Sequence, residues 1–380
     1  MRTLILTCNT GEGHNSTATA IEDVFAAHGE SCDRADTLGF LSPLMSRAVC
    51  KAHTRIYQYM PKAFDVGYRI AEEHPDAFER KSPLYRLLTH GAKKLYHHIV
   101  EGGYDTVVCT HVFSALLVTG MKEKYPALDV YTAFVATDYT CSPSVRECDM
   151  DVFFIPDASL TDDFVAKGVP KERIAATGLA VRAPFLTRLS REVACERCGL
   201  DPRERHVLMM CGSMGCGPME ELTRLLAEQL PENVALTVIC GTNRELERKL
   251  NRRFAKWQNV RVLGFVKNVP ELMDAADLYL TKPGGISVTE ASAKGLPMVL
   301  INAVAGCEQY NLQYCLERGM ARTADTPEQM SAMCAELLSD TEALARMRAQ
   351  IECYAHADAA DRMFEHLSRA AQDKIGDQKP

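Results

Sequence analysis

The sequence predicts an α/β protein made of two doubly wound parallel sheets, and three observations predict it. Apolar runs of four to seven residues alternate with helical patterns along most of the chain. Both halves open the same way, with a strand, a glycine-rich turn and a helix. At 380 residues the chain exceeds one ordinary core, so two domains are expected.

Taken in order, the first half opens with a strand from Thr3 to Cys8. A loop at Gly11-Glu12-Gly13-His14 follows, then an alanine-rich helix from about Ser16 to Ala27. The segment Ser31 to Asp36 shows no clear apolar run. Residues 41–98 break the alternation and read as helical, with Arg47, Lys51, Arg55, Tyr57, Tyr59, Lys62, Phe64 and Tyr68 interleaved. From Arg80 to His98 there are basic residues, among them Arg86, Lys93 and Lys94, and no acidic one. That block reads as a docking surface for an anionic membrane, the alternative being an ordinary solvated helix face. Thr106 to Cys109, Val130 to Ala136 and Val152 to Ile155 continue the sheet. The boundary falls between Gly178 and Arg191, giving a first domain over 1–180 and a second over 185–352. A last polar helix, about 355–375, is placed to return to the first domain. The second half runs through a strand from His206 to Cys211 and the turn Gly212-Ser213-Met214-Gly215-Cys216-Gly217-Pro218. A helix to about Gln229 and strands at Ala235 to Cys240 and Val260 to Phe265 come next.

Composition narrows the function. Hydrophobic residues at 47% and charged residues at 24% are ordinary for a globular protein. A net charge of -7 argues against nucleic acid as a partner, since there is no global basic field to release counterions. No apolar run approaches the roughly 20 residues that span a bilayer. The first residues read as a strand rather than a signal peptide. Fifteen cysteines without such a signal imply reduced thiols and a cytoplasmic location. Cys195-Glu196-Arg197-Cys198 lacks a second pair for zinc and reads as a helix face.

The most informative stretch runs from Thr281 to Asn311. An apolar strand, Leu278 to Leu280, stops at Pro283-Gly284-Gly285 and restarts as a helix through Ile286. Unpaired N–H groups at a helix start carry the positive end of its dipole and suit a phosphate. Glu290 is placed for a ribose diol, and Glu308, Gln309 and Asn311 follow the next strand, Pro297 to Ile301, where sugar hydroxyls would sit. Phosphate, ribose and sugar partners in consecutive loops read as a nucleotide-sugar site. Gly212, Ser213 and Gly215 cradle the same diphosphate from the other side. In the first half, His14 in its glycine loop is the candidate general base, and Asp138 orients it or shares the acceptor hydroxyl. Asp149-Met150-Asp151 matches a metal-holding pattern but precedes an apolar strand, so a capping role and no metal are expected.

These residues resemble the monogalactosyldiacylglycerol synthase and processive diacylglycerol glucosyltransferase family, related to the enzyme that adds N-acetylglucosamine to the peptidoglycan lipid precursor. The resemblance rests on Gly11-Glu12-Gly13-His14, Thr137-Asp138-Tyr139, Thr177-Gly178-Leu179, Gly212-Ser213-Met214-Gly215, Gly264-Phe265-Val266 and the block from Lys282 to Glu290. The chain departs from the family at Ala180, where proline is common, and in the loop before Glu308. The resemblance implies a GT-B fold, two Rossmann-like domains facing across a cleft. It implies UDP-glucose or UDP-galactose in the second domain, with Phe265 and Val266 meeting uracil, and a diacylglycerol-type lipid in the first, near Gly11 and Gly13. An inverting hexosyltransferase that needs no metal or other cofactor follows, peripheral on the inner face of the cell membrane. Three alternatives stand beside it. One is N-acetylglucosamine transfer to a polyprenyl-linked acceptor. The others are an NAD-dependent oxidoreductase, because the first glycine loop is one residue from a dinucleotide fingerprint, and a sugar-nucleotide sensor without catalysis.

Overall fold

The computed structural model describes residues 1–9, 12–42, 79–80, 82–231, 233–301 and 306–377. Gly11 and most of the basic-aromatic segment, 43–78, lie outside the described residues. The chain divides into two compact units, Met1–Arg182 with His356–Pro380, and Ala183–Ala355.

In the first unit six parallel strands form one sheet: β1 (Arg2–Thr7), β2 (Ser31–Asp36), β3 (Thr106–Cys109), β4 (Tyr131–Val135), β5 (Val152–Ile155) and β6 (Ile174–Ala176). Their spatial order is β2-β1-β3-β4-β5-β6. The chain therefore steps from β1 outward to β2, then returns to β3 on the other side of β1. Loops at that reversal diverge to opposite faces and open a crevice at the carboxyl ends of the strands. The apolar runs are continuous because helices cover both faces of the sheet. β2 is the exception: an edge strand without a fully buried residue, which buries too little to show a pattern.

The first helix spans Glu12–Ala27 and so starts four residues earlier than the sequence predicts. Glu12, Gly13 and His14 are its first turn rather than a loop. Its inner face, Ala18, Ile21 and Phe25, packs with Ile5, Val108, Val135 and Phe154. Each such large apolar side chain contributes about 1.5–3 kcal/mol on burial. The last helix, Ala359–Asp377, completes this core with Ala360, Met363 and Leu367. Phe364 meets Phe25 edge to face at 4.9 Å, and Arg362 Nη1 donates to the Thr177 carbonyl at 3.2 Å. Gly178, at φ +93°, lies against His356, and a side chain there would collide with its Cβ.

The described part of the predicted helical insertion holds two helices. Pro83–Leu88 is capped by Ser82, whose hydroxyl accepts from the Tyr85 amide at 3.0 Å, and Ala92–Gly102 ends on left-handed Gly103. Arg86, Lys93 and Lys94 are exposed. Arg80, read from the sequence as part of the same basic block, is instead paired with Glu123 at 2.9 Å, so its charge is answered from outside the block. Both carboxylates of the Asp-x-Asp are engaged as well: Asp149 with Arg173 at 2.8 Å, and Asp151 by the Thr132 amide at 2.7 Å with Lys122 at 3.5 Å.

The second unit repeats the plan with β7 (Arg205–Met210), β8 (Val234–Ile239), β9 (Val260–Leu263), β10 (Leu278–Thr281), β11 (Met298–Leu300) and β12 (Ala321–Arg322). Their order is β12-β11-β10-β7-β8-β9, all parallel. The reversal here lies between β7 and β10. Val207, Met209, Leu236, Val238, Leu278 and Leu280 form the centre of its core. Cys195 and Cys198 lie buried on the helix Arg191–Cys198, Cys195 against Ala275.

Candidate functional site

Two glycine turns converge at the β7–β10 reversal. After β7 the chain turns through Gly212 (φ +69°) and Gly215 (φ +55°), a left-handed region that glycine enters without steric penalty. The turn is held from the β8 side, where the Thr242 amide donates to the Ser213 carbonyl at 2.8 Å and Asn243 Nδ2 to the Gly215 carbonyl at 3.2 Å. Gly215 differs from expectation, because its own amide closes the turn onto the Gly212 carbonyl at 3.3 Å. The Ser213 and Met214 amides donate to no acceptor among the described residues. After β10, the helix Gly285–Ala293 begins at Gly284 with no side chain capping it. Its first N–H groups, at Gly285 and Ile286, are therefore open to an anion. Asn311 Nδ2 fixes this second turn by donating to the Pro283 carbonyl at 3.0 Å.

Lys282 joins the two turns. A side chain on Gly212 would come within 2.8 Å of Lys282 Cε, and the ammonium lies 3.8 Å from the space a Cβ would fill at Gly212 and at Gly284 alike. Both glycines thus make room for one cation set between two groups of backbone amides. Glu308, buried in the first turn of the helix Cys307–Glu317, pairs with it at 2.6 Å. Sequence reasoning assigned Glu308 to sugar hydroxyls and gave Lys282 no role. A lysine directly before Pro-Gly-Gly was the available signal. Glu290 is buried one turn into its helix and Gln309 is exposed beside Glu308. Phe265 stands out from the loop after β9 with 67% of its surface accessible, and Val266 beside it is half-buried.

At the reversal of the first sheet, between β1 and β3, the half-buried His14 faces the loop after β3. Its Nδ1 lies 2.7 Å from the Thr110 carbonyl and 3.2 Å from the Thr137 hydroxyl. A carbonyl can only accept, so Nδ1 carries the proton and Nε2 keeps its lone pair. Burial lowers the imidazole pKa from its ordinary 6.5, opposed by the charge of Asp138 and by the Thr110 hydrogen bond. The neutral form, a base, is the one favoured near pH 7. His111, which the sequence did not single out, packs edge to face on His14 at 4.5 Å. Its own Nδ1 accepts from the Phe113 amide at 3.0 Å and so caps the helix Val112–Lys124. Only the pairing of β3 with β1 brings His111 here. Gly13 lies in the same helical turn as His14, while Gly11 is outside the described residues. Among the described residues no cluster of three or more potential ligands could hold a metal ion.

Residues 14–181 match the family model for monogalactosyldiacylglycerol (MGDG) synthase, and residues 206–363 match the glycosyltransferase family 28 C-terminal domain. The chain thus joins a region similar to MGDG synthase to a region similar to the family 28 glycosyltransferase C-terminal domain. It is a glycosyltransferase, which decides against the oxidoreductase reading of the first glycine turn. Over 354 residues this glycosyltransferase is 27% identical to a processive diacylglycerol β-glucosyltransferase of Staphylococcus carnosus, spanning 92% of this chain and 88% of that one. The Staphylococcus aureus protein of the same description is 26% identical over 355 residues, with the same coverage. Among solved structures, Acinetobacter baumannii MurG superposes with a TM-score of 0.63 at 14% identity, over 97% of this chain and 99% of that one. S. aureus MnaA, solved with UDP, gives 0.64 at 13% identity, over 98% and 97%. These likenesses place the fold in the GT-B class. No described helix is long and apolar enough to cross a membrane.

Proposed function

We propose that this glycosyltransferase moves a hexose from UDP-glucose or UDP-galactose to the 3-hydroxyl of a diacylglycerol-type lipid, with inversion and without a metal, at the cytoplasmic face of a membrane. The observation that carries the proposal is Lys282, set between the Gly212 and Gly284 turns with open amides on both sides. That arrangement suits a diphosphate leaving group. When the bond from the anomeric carbon to the diphosphate oxygen breaks, negative charge grows beside the open amides and the Lys282–Glu308 pair. Preorganised donors of this kind are commonly the largest catalytic contribution. The acceptor oxygen attacks the anomeric carbon from the face opposite the diphosphate and gives its proton to His14 Nε2. Inversion follows from that single displacement. Positive charge from Lys282 and the amides answers the diphosphate, so no divalent ion is invoked.

Support for the lipid acceptor comes from the staphylococcal relatives, whose names specify diacylglycerol and glucose. Exposed Arg86, Lys93 and Lys94, on two helices of the first unit, suit an anionic bilayer. The test is mass spectrometry of vesicles containing diacylglycerol and phosphatidylglycerol after incubation with UDP-glucose, UDP-galactose or UDP-N-acetylglucosamine. A hexosyl-diacylglycerol is expected from one of the first two. Product only from the third, or none from any, overturns the proposal.

A further inference from the structure

A cavity of about 270 Å³ lies at the amino ends of β10 and β11, the opposite edge of the second sheet from the glycine turns. It is lined by Arg188, Arg191 and Arg348 together with Lys294, Asp274 and Asp277. The carboxylates around it are already engaged. Buried Asp277 accepts from Arg205 Nη1 at 3.0 Å, Arg191 Nη2 at 3.1 Å and the His206 amide at 2.8 Å. Asp274 takes the buried ammonium of Lys294 at 2.7 Å and the Leu189 amide at 3.2 Å. Arg188 is paired with Glu352 at 3.2 Å. Arg188, Arg191, Arg205, Lys294 and Arg348 thus outnumber these three carboxylates.

Arg348 is the cation left over. It is half-buried on the helix Thr341–Tyr354, and among the described residues its guanidinium has no hydrogen bond and no ion pair. Burial lowers its pKa, Asp277 opposes this, and the neighbouring Arg205 and Arg191 add repulsion. Partly desolvated like charges in one cavity are unfavourable unless a counter-anion completes the set. Guanidinium forks match the spacing of phosphate oxygens and bind them in pairs, which an ammonium cannot do. Gly295, at φ +64°, lies under the Arg188 guanidinium, whose nearest atom is 3.1 Å from where a side chain would begin, so the fork rests flat at the cavity wall.

We propose that this cavity is a phosphate-binding site, separate from the diphosphate cradle and completed by Arg348. The inference uses only the second unit and does not depend on the transfer reaction. An anion there would tie the helix Thr341–Tyr354 to the segment around Arg188 and to the turn at Lys294 and Gly295.

Calorimetric titration of the full chain with inorganic phosphate, in the presence of saturating UDP, tests it. With the diphosphate cradle already filled by UDP, the wild-type protein is expected to show saturable binding of phosphate, weakened at least tenfold in Arg348→Gln. Arg348→Lys keeps the charge and loses the fork, and should weaken binding severalfold. That variant decides the matter if the glutamine form does not fold. Absence of binding, or binding untouched by either Arg348 substitution, overturns the proposal.

Discussion

Replacing His14 by asparagine isolates the proton-transfer step. The Asn amide nitrogen can occupy the place of Nδ1 and still donate to the Thr110 carbonyl, which accepts from His14 at 2.7 Å. Alanine would leave that carbonyl without its donor, at about 1–3 kcal/mol, and blur the result. The asparagine variant has no lone pair where Nε2 was. General-base catalysis is worth about 10²–10⁴ in rate, or about 3–5 kcal/mol of barrier. A fall of that size in kcat/KM is expected, with affinity for the UDP-sugar unchanged, because the diphosphate cradle is built entirely from the second unit. The wild-type pH profile carries a second test. Burial lowers the His14 pKa from 6.5, so the basic form persists to lower pH and kcat/KM should rise through an apparent pKa below 6.5, flat by pH 7. Asp138 raises that pKa, so Asp138→Asn should move the acid limb further down. The assay is initial-rate transfer to diacylglycerol vesicles across pH 5–8. An acid limb above 6.5, or a His14→Asn enzyme keeping more than a tenth of wild-type kcat/KM, would refute the reasoning.

Lys282→Met removes the cradle's cation and leaves Glu308 buried without it. It should destabilise the protein by about 3–5 kcal/mol in urea unfolding, and Glu308→Gln in the same background should recover part of that loss. Gly241→Ala, at φ +58° with its new methyl against the Ser213 carbonyl, should displace the Gly212 turn and lower UDP affinity by calorimetry, while Gly29→Ala, which meets nothing, leaves it unchanged. Lys93→Gln with Lys94→Gln should weaken sedimentation with phosphatidylglycerol vesicles by about 2 kcal/mol, roughly thirtyfold, and leave binding to neutral vesicles unaltered. A chelator should leave the transfer rate unchanged, since Arg173, Lys122 and Thr132 already engage Asp149 and Asp151. A chelator-sensitive rate restored by magnesium would count against the metal-free mechanism.

Much of the fold is legible because parallel strands buried on both faces read as unbroken apolar runs. Thr106–Cys109 and Val152–Ile155 coincide with β3 and β5 to the residue. β2 is illegible for the converse reason: Ser31–Asp36 sits at an edge and buries little. The early start of the first helix was hidden because Gly13 reads as a loop residue, whereas here it occupies a first helical turn. Glycine turns reveal where an anion belongs but not what lies between them. Lys282 gains its place only when β7 and β10 become neighbours, and His111 only when β3 pairs with β1. Local spacing shows most of the elements. Contacts made across a sheet reversal have no local trace.

The last helix has a consequence for the order of synthesis. The second unit is contiguous, Ala183–Ala355, and can close its core as soon as its own residues are available. The first unit borrows Ala360, Met363 and Leu367 from beyond that segment. At translation rates of about 5–20 residues per second, its unfinished apolar face waits on the order of 10–40 s for them. The half that emerges first is therefore completed last, and during that interval the nascent chain presents a sticky groove suited to a chaperone.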